Sequence, residues 1–282
     1  MNNIENLQAL AANLPTGYKE KAEALLERMN SVIEGIGDEP ITWKPNMLRL
    51  VQGTTDRGSI PKGTSIGDFV LGESRVERPL KFIPLIVWDG RQYWSPDQTE
   101  SKMLCSSPDA KLGYIGMDCK SCPHSAWDEE AKKSECGKVK QALVIAEDLS
   151  DIFQVNFAKT NFAAGLELVG LMKKAGVAPY RRIYSLDSKT SSKNKNVENF
   201  DVRPSDDRNV KAELLEFLGE LFRTIQGDRK AHLEAFYAMI EDRRQSGQLT
   251  ALAAPAQADE TIALPNDASE GEVSDLAKKY QI

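Results

Sequence analysis

The run Leu80-Lys81-Phe82-Ile83-Pro84-Leu85-Ile86-Val87-Trp88 is the stretch that decides the fold. It is rich in β-branched and aromatic residues, which favour extended backbone over helix. A turn signal at Asp89-Gly90 follows it, and then Gln92-Tyr93-Trp94. We therefore expect a β-sheet to form the centre of the chain.

Further strand patterns lie on both sides of this run. A short one is predicted at Met47–Val51, and four more are predicted at residues 141–146, 152–157, 181–186 and 197–202. An amphipathic helix is predicted from Asn161 to Ala175. From residue 80 onward, the order of three strands, a helix and two strands matches the OB-fold, a five-stranded Greek-key barrel. We predict an α+β chain with an OB-fold-like five-stranded β-barrel across residues 41–208.

Helical patterns flank the predicted barrel. Residues 1–40 are predicted to form a helical hairpin, because leucines recur at helical spacing on both sides of Pro15-Thr16-Gly17. Residues 209–248 are predicted to form two helices that are separated by a break at Gly227-Asp228. Residues 249–282 are rich in small, proline and acidic residues, and this composition is typical of a flexible acidic tail.

The four cysteines of the chain interrupt the predicted barrel between its first and second strands. They are Cys105, Cys119, Cys122 and Cys136, in the arrangement C-x13-C-x2-C-x13-C. A C-x2-C pair places two thiolates on one turn, and two flanking cysteines can complete a tetrahedron around a metal. We therefore predict one Zn²⁺ bound by all four cysteines in an insertion at residues 105–136.

Other uses of the cysteines fit the sequence less well. Disulfides need an oxidising compartment, but residues 1–30 show no signal-like apolar start. A redox C-x2-C pair normally opens a helix, whereas Cys122 is followed by Pro123. A rubredoxin-type iron site usually has two C-x2-C pairs, and this chain has one. His124 could replace one ligand, but four thiolates already fill the coordination shell.

The predicted zinc is structural, because four protein thiolates leave no open coordination position for water or substrate. Several common catalytic motifs, namely the P-loop, H-E-x-x-H and G-x-S-x-G, do not occur in the sequence. Neither of the two histidines has an evident catalytic partner. We therefore expect a protein that is not an enzyme.

Charge is distributed unevenly along the chain. The net charge is −6, but residues 1–40 carry 3 basic and 7 acidic residues, residues 41–211 carry 26 and 22, and residues 212–282 carry 7 and 13. A mildly basic centre between acidic ends is compatible with nucleic-acid binding. No apolar run reaches the roughly 18 residues that a membrane span needs. We expect no membrane contact and a cytoplasmic location.

Single-stranded nucleic acid is bound by basic groups that contact phosphates and by aromatic rings on which bases stack. Both residue types occur in the central segment. The predicted stacking residues are Tyr93, Trp94, Trp127 and Tyr184. The predicted phosphate contacts are Arg181, Arg182, Lys189, Lys193 and Lys195, of which the lysines lie in a polar loop opposite the metal insertion across the predicted barrel mouth.

The chain resembles the zinc-containing single-stranded DNA-binding proteins of tailed bacteriophages, which are OB-fold proteins of the helix-destabilising type. The resemblance covers about half of the chain, from Gly67 to about Pro204. It rests on Gly67-Asp68-Phe69, Ile83-Pro84-Leu85, Tyr93-Trp94, Cys105-Ser106-Ser107-Pro108-Asp109, Cys119-Lys120-Ser121-Cys122-Pro123 and Cys136. It implies binding of displaced strands during phage DNA replication or recombination, in the cytoplasm of an infected bacterial host. It also implies an acidic C-terminal tail that recruits replication or recombination proteins. Better-studied phage proteins of this type ligate zinc with one histidine and three cysteines, whereas this chain has four cysteines.

Together these patterns predict a sequence-tolerant single-stranded DNA-binding protein with one structural zinc. The first alternative is a zinc-ribbon transcription cofactor in which the metal insertion contacts RNA polymerase. The second alternative is a metal-stabilised interaction scaffold that does not bind nucleic acid.

Overall fold

One long strand, β4 (Leu80–Trp94), is the centre of the sheet. The computed structural model describes residues 2–30, 45–95, 103–130, 134–192 and 194–247. The helices are α1 (Asn2–Ala12), α2 (Thr16–Asn30), α3 (Phe162–Ala175) and α4 (Leu215–Gln245). The other strands are β1 (Asn46–Leu50), β2 (Phe69–Leu71), β3 (Ser74–Val76), β5 (Met103–Ser107), β6 (Cys136–Ala146), β7 (Ile152–Ala158), β8 (Arg182–Thr190) and β9 (Glu198–Asn209).

The described strands form one curled sheet in the order β3-β2-β1-β7-β6-β4-β8-β9, and β5 pairs with the end of β4. Neighbouring strands run antiparallel except β1 and β7, which are parallel. The sheet curls far enough for the segment after β1 to meet the start of β9. Gly53 N donates to Asn196 O at 3.0 Å, and the Gln52 side chain exchanges two hydrogen bonds with the Glu198 backbone. The result is a mixed α+β protein built on a half-barrel.

The concave face of the curl contains one of two hydrophobic clusters. Phe82, Phe153, Phe157 and Tyr184 are buried there, and Leu168 of α3 packs against them. Helix α3 lies very close to the sheet at Gly165, where an added Cβ would be 2.6 Å from Lys140 Cβ and 2.8 Å from Phe157 Cβ. Glycine at this position is what allows the helix to approach so closely.

The convex face of the sheet is covered by helices from both ends of the chain. Leu7 of α1, Leu25 of α2 and Leu218 of α4 pack there against Ile83 and Ile145. A β-bulge in β4 enlarges this contact, because the register shifts between Pro84 and Ile86 and both Leu85 and Ile86 then join the convex cluster. Pro84 is compatible with such a bulge because it has no N–H to donate to the ladder.

The six strands and the helix that the sequence predicts are present as β1, β4, β6, β7, β8, β9 and α3, whereas β2, β3 and β5 were not predicted. The predicted turn at Asp89-Gly90 is wrong, since β4 continues through it and Gly90 pairs with Val139. The predicted hairpin at residues 1–40 is described as α1 and α2 up to Asn30, and its remainder lies outside the described residues. The predicted tail at residues 249–282 also lies outside them.

The predicted break at Gly227-Asp228 is wrong, because α4 is one uninterrupted helix. A glycine inside a helix costs only about 1 kcal/mol relative to alanine. Packing on both sides of Gly227 offsets this cost. Ile225 is buried before it, and Ile240 is buried after it.

Candidate metal centre and candidate nucleic-acid interface

The cysteine insertion extends from the ends of β4 and β6. Cys105 on β5 and Cys136 on β6 both pair with Tyr93 of β4, one from each side. The two remaining cysteines lie on a loop that the Ser125 hydroxyl stabilises, because it donates to Cys119 O at 2.6 Å and to Cys122 O at 2.8 Å. The loop is tied back to the insertion where Cys119 N donates to Lys111 O at 2.7 Å.

All four cysteines line one cavity of about 10 Å³, and none of them forms a disulfide. This volume is close to that of one water-sized sphere. Gly113 belongs to the cavity wall, and a Cβ on this residue would lie 2.9 Å from Cys105 Sγ. The wall therefore has space for a single small atom beside the thiols, and a larger residue at position 113 would reduce that space.

The donor types fit zinc, since four thiolates are one of its usual structural ligand sets. The described residues contain no group of three or more His, Cys, Asp or Glu side chains that is already arranged around a metal position. The cysteines thus share a cavity without having the geometry of a closed metal site. Zinc remains a prediction.

Burial and a nearby positive charge have opposite effects on the pKa values of two cavity thiols. Burial raises the pKa of Cys119 and of Cys136, while the nearby Arg91 guanidinium acts to lower the pKa of both. Metal ligation requires deprotonated thiols. A cation in the cavity would favour the thiolates in the same way as Arg91 does.

Tyr93 is part of the insertion rather than an open stacking surface. Its half-buried ring stacks on the His124 ring with 4.3 Å between centroids. His124 Nδ1 in turn lies 2.7 Å from Glu135 Oε2. One face of Tyr93 is therefore already covered, and one nitrogen of His124 is engaged by a carboxylate.

Helix α4 passes along the insertion and contacts it at several points. Arg229 donates to Pro108 O at 3.1 Å, and Tyr237 donates to the Asp109 carboxylate. Arg243 stacks on the Tyr114 ring at 4.6 Å, and Arg244 donates to Gly116 O. The C-terminal half of α4 is thus held by the insertion.

A groove of about 880 Å³ lies between α1, α2, α4, the insertion and the convex face of the sheet. Its floor includes Trp88 of β4, Gln141 and Leu143 of β6, and Gln154 of β7. The Arg229 guanidinium lies 4.8 Å from the Trp88 ring centroid, and Trp88 Nε1 donates to Gln141 Oε1.

The groove has walls of different chemistry. The α1–α2 wall is mostly apolar and contributes Ile4, Leu7, Leu26 and Met29. The α4 wall is mixed and contributes Thr224, Ile225, Asp228, Arg229, Ala231, His232 and Phe236. The insertion contributes Ser106, Ser107, Pro108 and Tyr114 at one end, beside Arg91 and Gln92 of β4. Aromatic and guanidinium groups thus occur together in the groove.

The nucleic-acid contacts predicted from the sequence are dispersed. Trp94 and Trp127 are 42% and 59% exposed, and Arg181 and Lys195 are also exposed. Two others have protein partners: Arg182 donates to Asn209 Oδ1, and Lys189 pairs with Asp201 at 2.9 Å. Lys193 lies outside the described residues. None of the described members of the set lines the groove.

Tyr184 does not fit the stacking role predicted for it. It is 3% exposed and packs beside Phe82 in the concave cluster, with 6.0 Å between ring centroids. A base could stack on this ring only if the core opened. The side chain points inward because of its position in β8. The neighbouring Arg181 and Arg182 in the sequence do not indicate to which face of the sheet Tyr184 points.

The lysine loop and the cysteine insertion do not face each other. Strand β8 pairs with the first residues of β4, where Leu80 lies opposite Leu186, so the loop after Thr190 extends past the start of β4. The insertion follows the other end of β4, after Trp94. The strand pairing therefore corrects the expectation that both lie across one barrel mouth.

The groove residues escaped sequence reasoning because they come from segments that are far apart in the chain, from α1 to α4. Trp88 could have been identified, since it ends the apolar run of β4 next to polar residues. Thr224 and Asp228 carried no such signal, because the predicted break at Gly227-Asp228 separated them into two helices.

In comparisons with known proteins, no family model, no curated protein and no solved structure matches the chain. Among the residues that the structure describes, no helix is both long and apolar enough to cross a membrane.

Proposed function

We propose that this protein binds single-stranded DNA in the groove on the convex face of its sheet, and that its four cysteines hold one structural Zn²⁺. One observation carries the proposal. Trp88, Tyr114 and Phe236 line the same groove as Arg91 and Arg229. Rings that can stack on bases, combined with cations that can contact phosphates, are what a sequence-tolerant single-strand site requires.

The connectivity of the sheet supports the proposal. Strands β4, β6, β7, β8 and β9 follow the order of an OB-fold, with α3 between the third and the fourth. OB-folds bind oligonucleotides on the face of their second and third strands and beside the loop between the first and second strands. In the proposed OB-fold assignment those strands are β6 and β7, which supply Gln141, Leu143 and Gln154 to the groove.

The proposed zinc has an architectural role. Among the described residues 103–130 and 134–136, the buried ones are Ser107, Gly113, Cys119 and Cys136, so the insertion buries no aliphatic or aromatic side chain. A segment of this kind needs a cross-link to fold. A metal bound by the cysteines would supply it, and would hold Tyr114 and Pro108 at the groove and the insertion against α4.

The test is a titration of the purified full chain with fluorescent oligo-dT and with a duplex of equal length, with zinc quantified in the same sample. We expect tight binding of oligo-dT, weaker binding of the duplex, an affinity that falls as salt rises, and one zinc per chain. Absence of oligo-dT binding, or equal binding of the duplex, would contradict the DNA proposal. Absence of zinc from gently prepared protein would contradict the metal proposal.

A matched pair of tryptophan variants locates the site. Trp88→Ala should weaken oligo-dT binding by about 5- to 150-fold, because a stacked base contributes roughly 1–3 kcal/mol. Trp127→Ala removes an exposed tryptophan outside the groove and should change little. Trp88→Phe keeps an aromatic ring and controls for loss of packing. The opposite result, with Trp127 important and Trp88 neutral, would move the site to the insertion surface.

A further inference from the structure

The α4 wall of the groove contains a stripe of polar side chains. Thr224, Asp228 and His232 are spaced four residues apart, and all three line the groove. Side chains at this spacing lie one above the other on the same face of a helix, about 6 Å apart along its axis. The stripe therefore places polar side chains along the groove wall, with the Thr224 hydroxyl itself buried beneath the surface.

Thr224 contributes to this row a polar group that is unpaired within the described structure. The residue is 6% exposed, and its Oγ1 has no hydrogen-bond partner among the described residues. Buried hydroxyl groups in folded proteins are normally paired. A threonine inside a helix can usually satisfy its hydroxyl on the carbonyl one turn earlier, but Thr224 does not do so.

Asp228, one turn further along, is a carboxylate without a cationic partner in the described part of the chain. No described residue forms an ion pair or a hydrogen bond with its side chain. Desolvation by the surrounding groove raises its pKa, and no neighbouring charge opposes this. A carboxylate in a groove that binds a polyanion is unfavourable unless a hydrogen-bond donor of the ligand meets it.

The four bases differ in what they offer to a carboxylate, which can only accept hydrogen bonds. Guanine presents two adjacent donors on its Watson–Crick edge, N1–H and the N2 amino group. Adenine and cytosine each present one amino donor beside an acceptor. Thymine presents a single N3–H between two carbonyl oxygens, which would repel the carboxylate. Guanine is therefore the base whose edge is complementary to Asp228.

We propose that the α4 wall recognises one guanine of the bound strand. Asp228 accepts hydrogen bonds from guanine N1–H and N2–H, and the Thr224 hydroxyl, which is buried in the free protein, rotates to donate to O6 of the same base. This inference rests on the proposed function. It adds a preference at one position to a site whose other contacts, through stacking and phosphates, tolerate any sequence.

The experiment compares short oligo-dT strands that carry one central G, A, C or inosine with unsubstituted oligo-dT. Inosine is guanine without the N2 amino group. The full-length protein should bind the G strand about tenfold more tightly than oligo-dT, and the inosine strand should fall between them. In Asp228→Asn the difference between G and inosine should disappear. Thr224→Val should reduce binding of the G strand more than it reduces binding of oligo-dT.

Asp242→Asn is the matched control, since it removes an exposed carboxylate from the same helix outside the groove and should keep the preference for G. Thermal unfolding of each variant checks that it folds. Equal binding of all strands by the wild-type protein would overturn the guanine inference and leave the proposed function standing. A G preference that survives Asp228→Asn would also overturn it. Failure to bind any strand would remove the proposed function itself.

Discussion

The sheet and the cysteine insertion that extends from it differ in what they bury. The concave cluster alone buries Phe69, Phe82, Phe153, Phe157 and Phe200, and the convex cluster adds aliphatic residues from three helices. The described residues of the insertion bury two cysteines, a serine and a glycine. Backbone hydrogen bonds, ring stacking and contacts with α4 are what the insertion has in place of a hydrophobic core.

Because the two regions bury different groups, they should respond to different perturbations. Burial of apolar surface stabilises the sheet, and that contribution does not depend on thiol chemistry. The insertion depends on its contacts with α4 and, in the proposed zinc-bound form, on the metal held by its four cysteines. Four predictions test this separation.

The largest effect is expected from loss of a cysteine. Cys119→Ser should abolish amide hydrogen-exchange protection across residues 103–136, because binding of a structural metal supplies most of the folding free energy of such a segment. The sheet should keep its protection. Ser121→Ala, at an exposed neighbouring position, is the control. Loss of protection throughout β6 and β7 as well would show that sheet and insertion form one cooperative unit.

A cavity in the concave core should destabilise the sheet and leave the insertion unchanged. Leu168→Ala removes a fully buried side chain of α3 and should lower the free energy of unfolding of the sheet by about 2–5 kcal/mol. Leu166→Ala, on the same helix but 49% exposed, should cost less than 1 kcal/mol. Denaturant titration measures both. Zinc content should be equal in both variants, and a loss of zinc in Leu168→Ala would contradict the independence of the two regions.

Two glycines of α3 sharpen the description of the sheet, because alanine should have opposite effects on them. Gly165→Ala should destabilise by about 1–3 kcal/mol, since its Cβ would clash with Lys140 and Phe157. Gly170 has no atom within 4 Å of an added Cβ, so Gly170→Ala should stabilise by about 1 kcal/mol through helix propensity. The shift in thermal midpoint gives the sign. A stabilising Gly165→Ala would show that the helix lies further from the sheet.

The smallest effect is expected at the contact between insertion and α4. Tyr237→Phe removes the hydroxyl that donates to Asp109 and should cost about 1 kcal/mol. Burial acts to raise the pKa of Asp109, but hydrogen bonds from Tyr237, two backbone amides and Ser107 outweigh it and lower the pKa. The Asp109 hydrogen bond raises the pKa of Tyr237 to about 12.

These two pKa shifts determine the pH range in which the Tyr237–Asp109 hydrogen bond stabilises the protein. A carboxyl with a lowered folded-state pKa stabilises the protein above its unfolded pKa of roughly 4, and this contribution is lost as pH falls through the folded value. A phenol with a raised pKa stabilises below its unfolded pKa of roughly 10, and this contribution is lost as pH rises through about 12. Wild type and Tyr237→Phe should therefore differ most between about pH 5 and pH 9, as measured by denaturant titration across pH. A difference that grows below pH 4 would contradict this assignment.

Strands β4, β6, β7, β8 and β9 could be predicted from sequence because each carries its own apolar pattern, whereas the short strands β2, β3 and β5 were not predicted. The run at residues 80–88 and the helix at residues 161–175 are local features, and the structure places them as β4 and α3. The cysteine spacing likewise predicted that four distant residues meet, and they line one cavity.

The groove could not be predicted in this way. Its walls are set by how α1, α2 and α4 pack on the convex face, which depends on contacts between residues far apart in the chain. The sequence also does not show which face of the sheet a strand residue points to. Tyr184 and Trp88 both lie on strands, but Tyr184 faces the concave core, while Trp88 faces the groove. Without knowledge of the curl, no residue pattern distinguishes these two positions.

The continuity of α4 through Gly227 has a mechanical consequence. Its 31 residues make a rod of about 46 Å, fixed at one end among the helices on the sheet and at the other by the insertion. A tilt of about 5° at the first end would displace the far end by roughly 4 Å. Because this one helix supplies the groove residues from Thr224 to Phe236, such a tilt would change the width of the groove along its whole length.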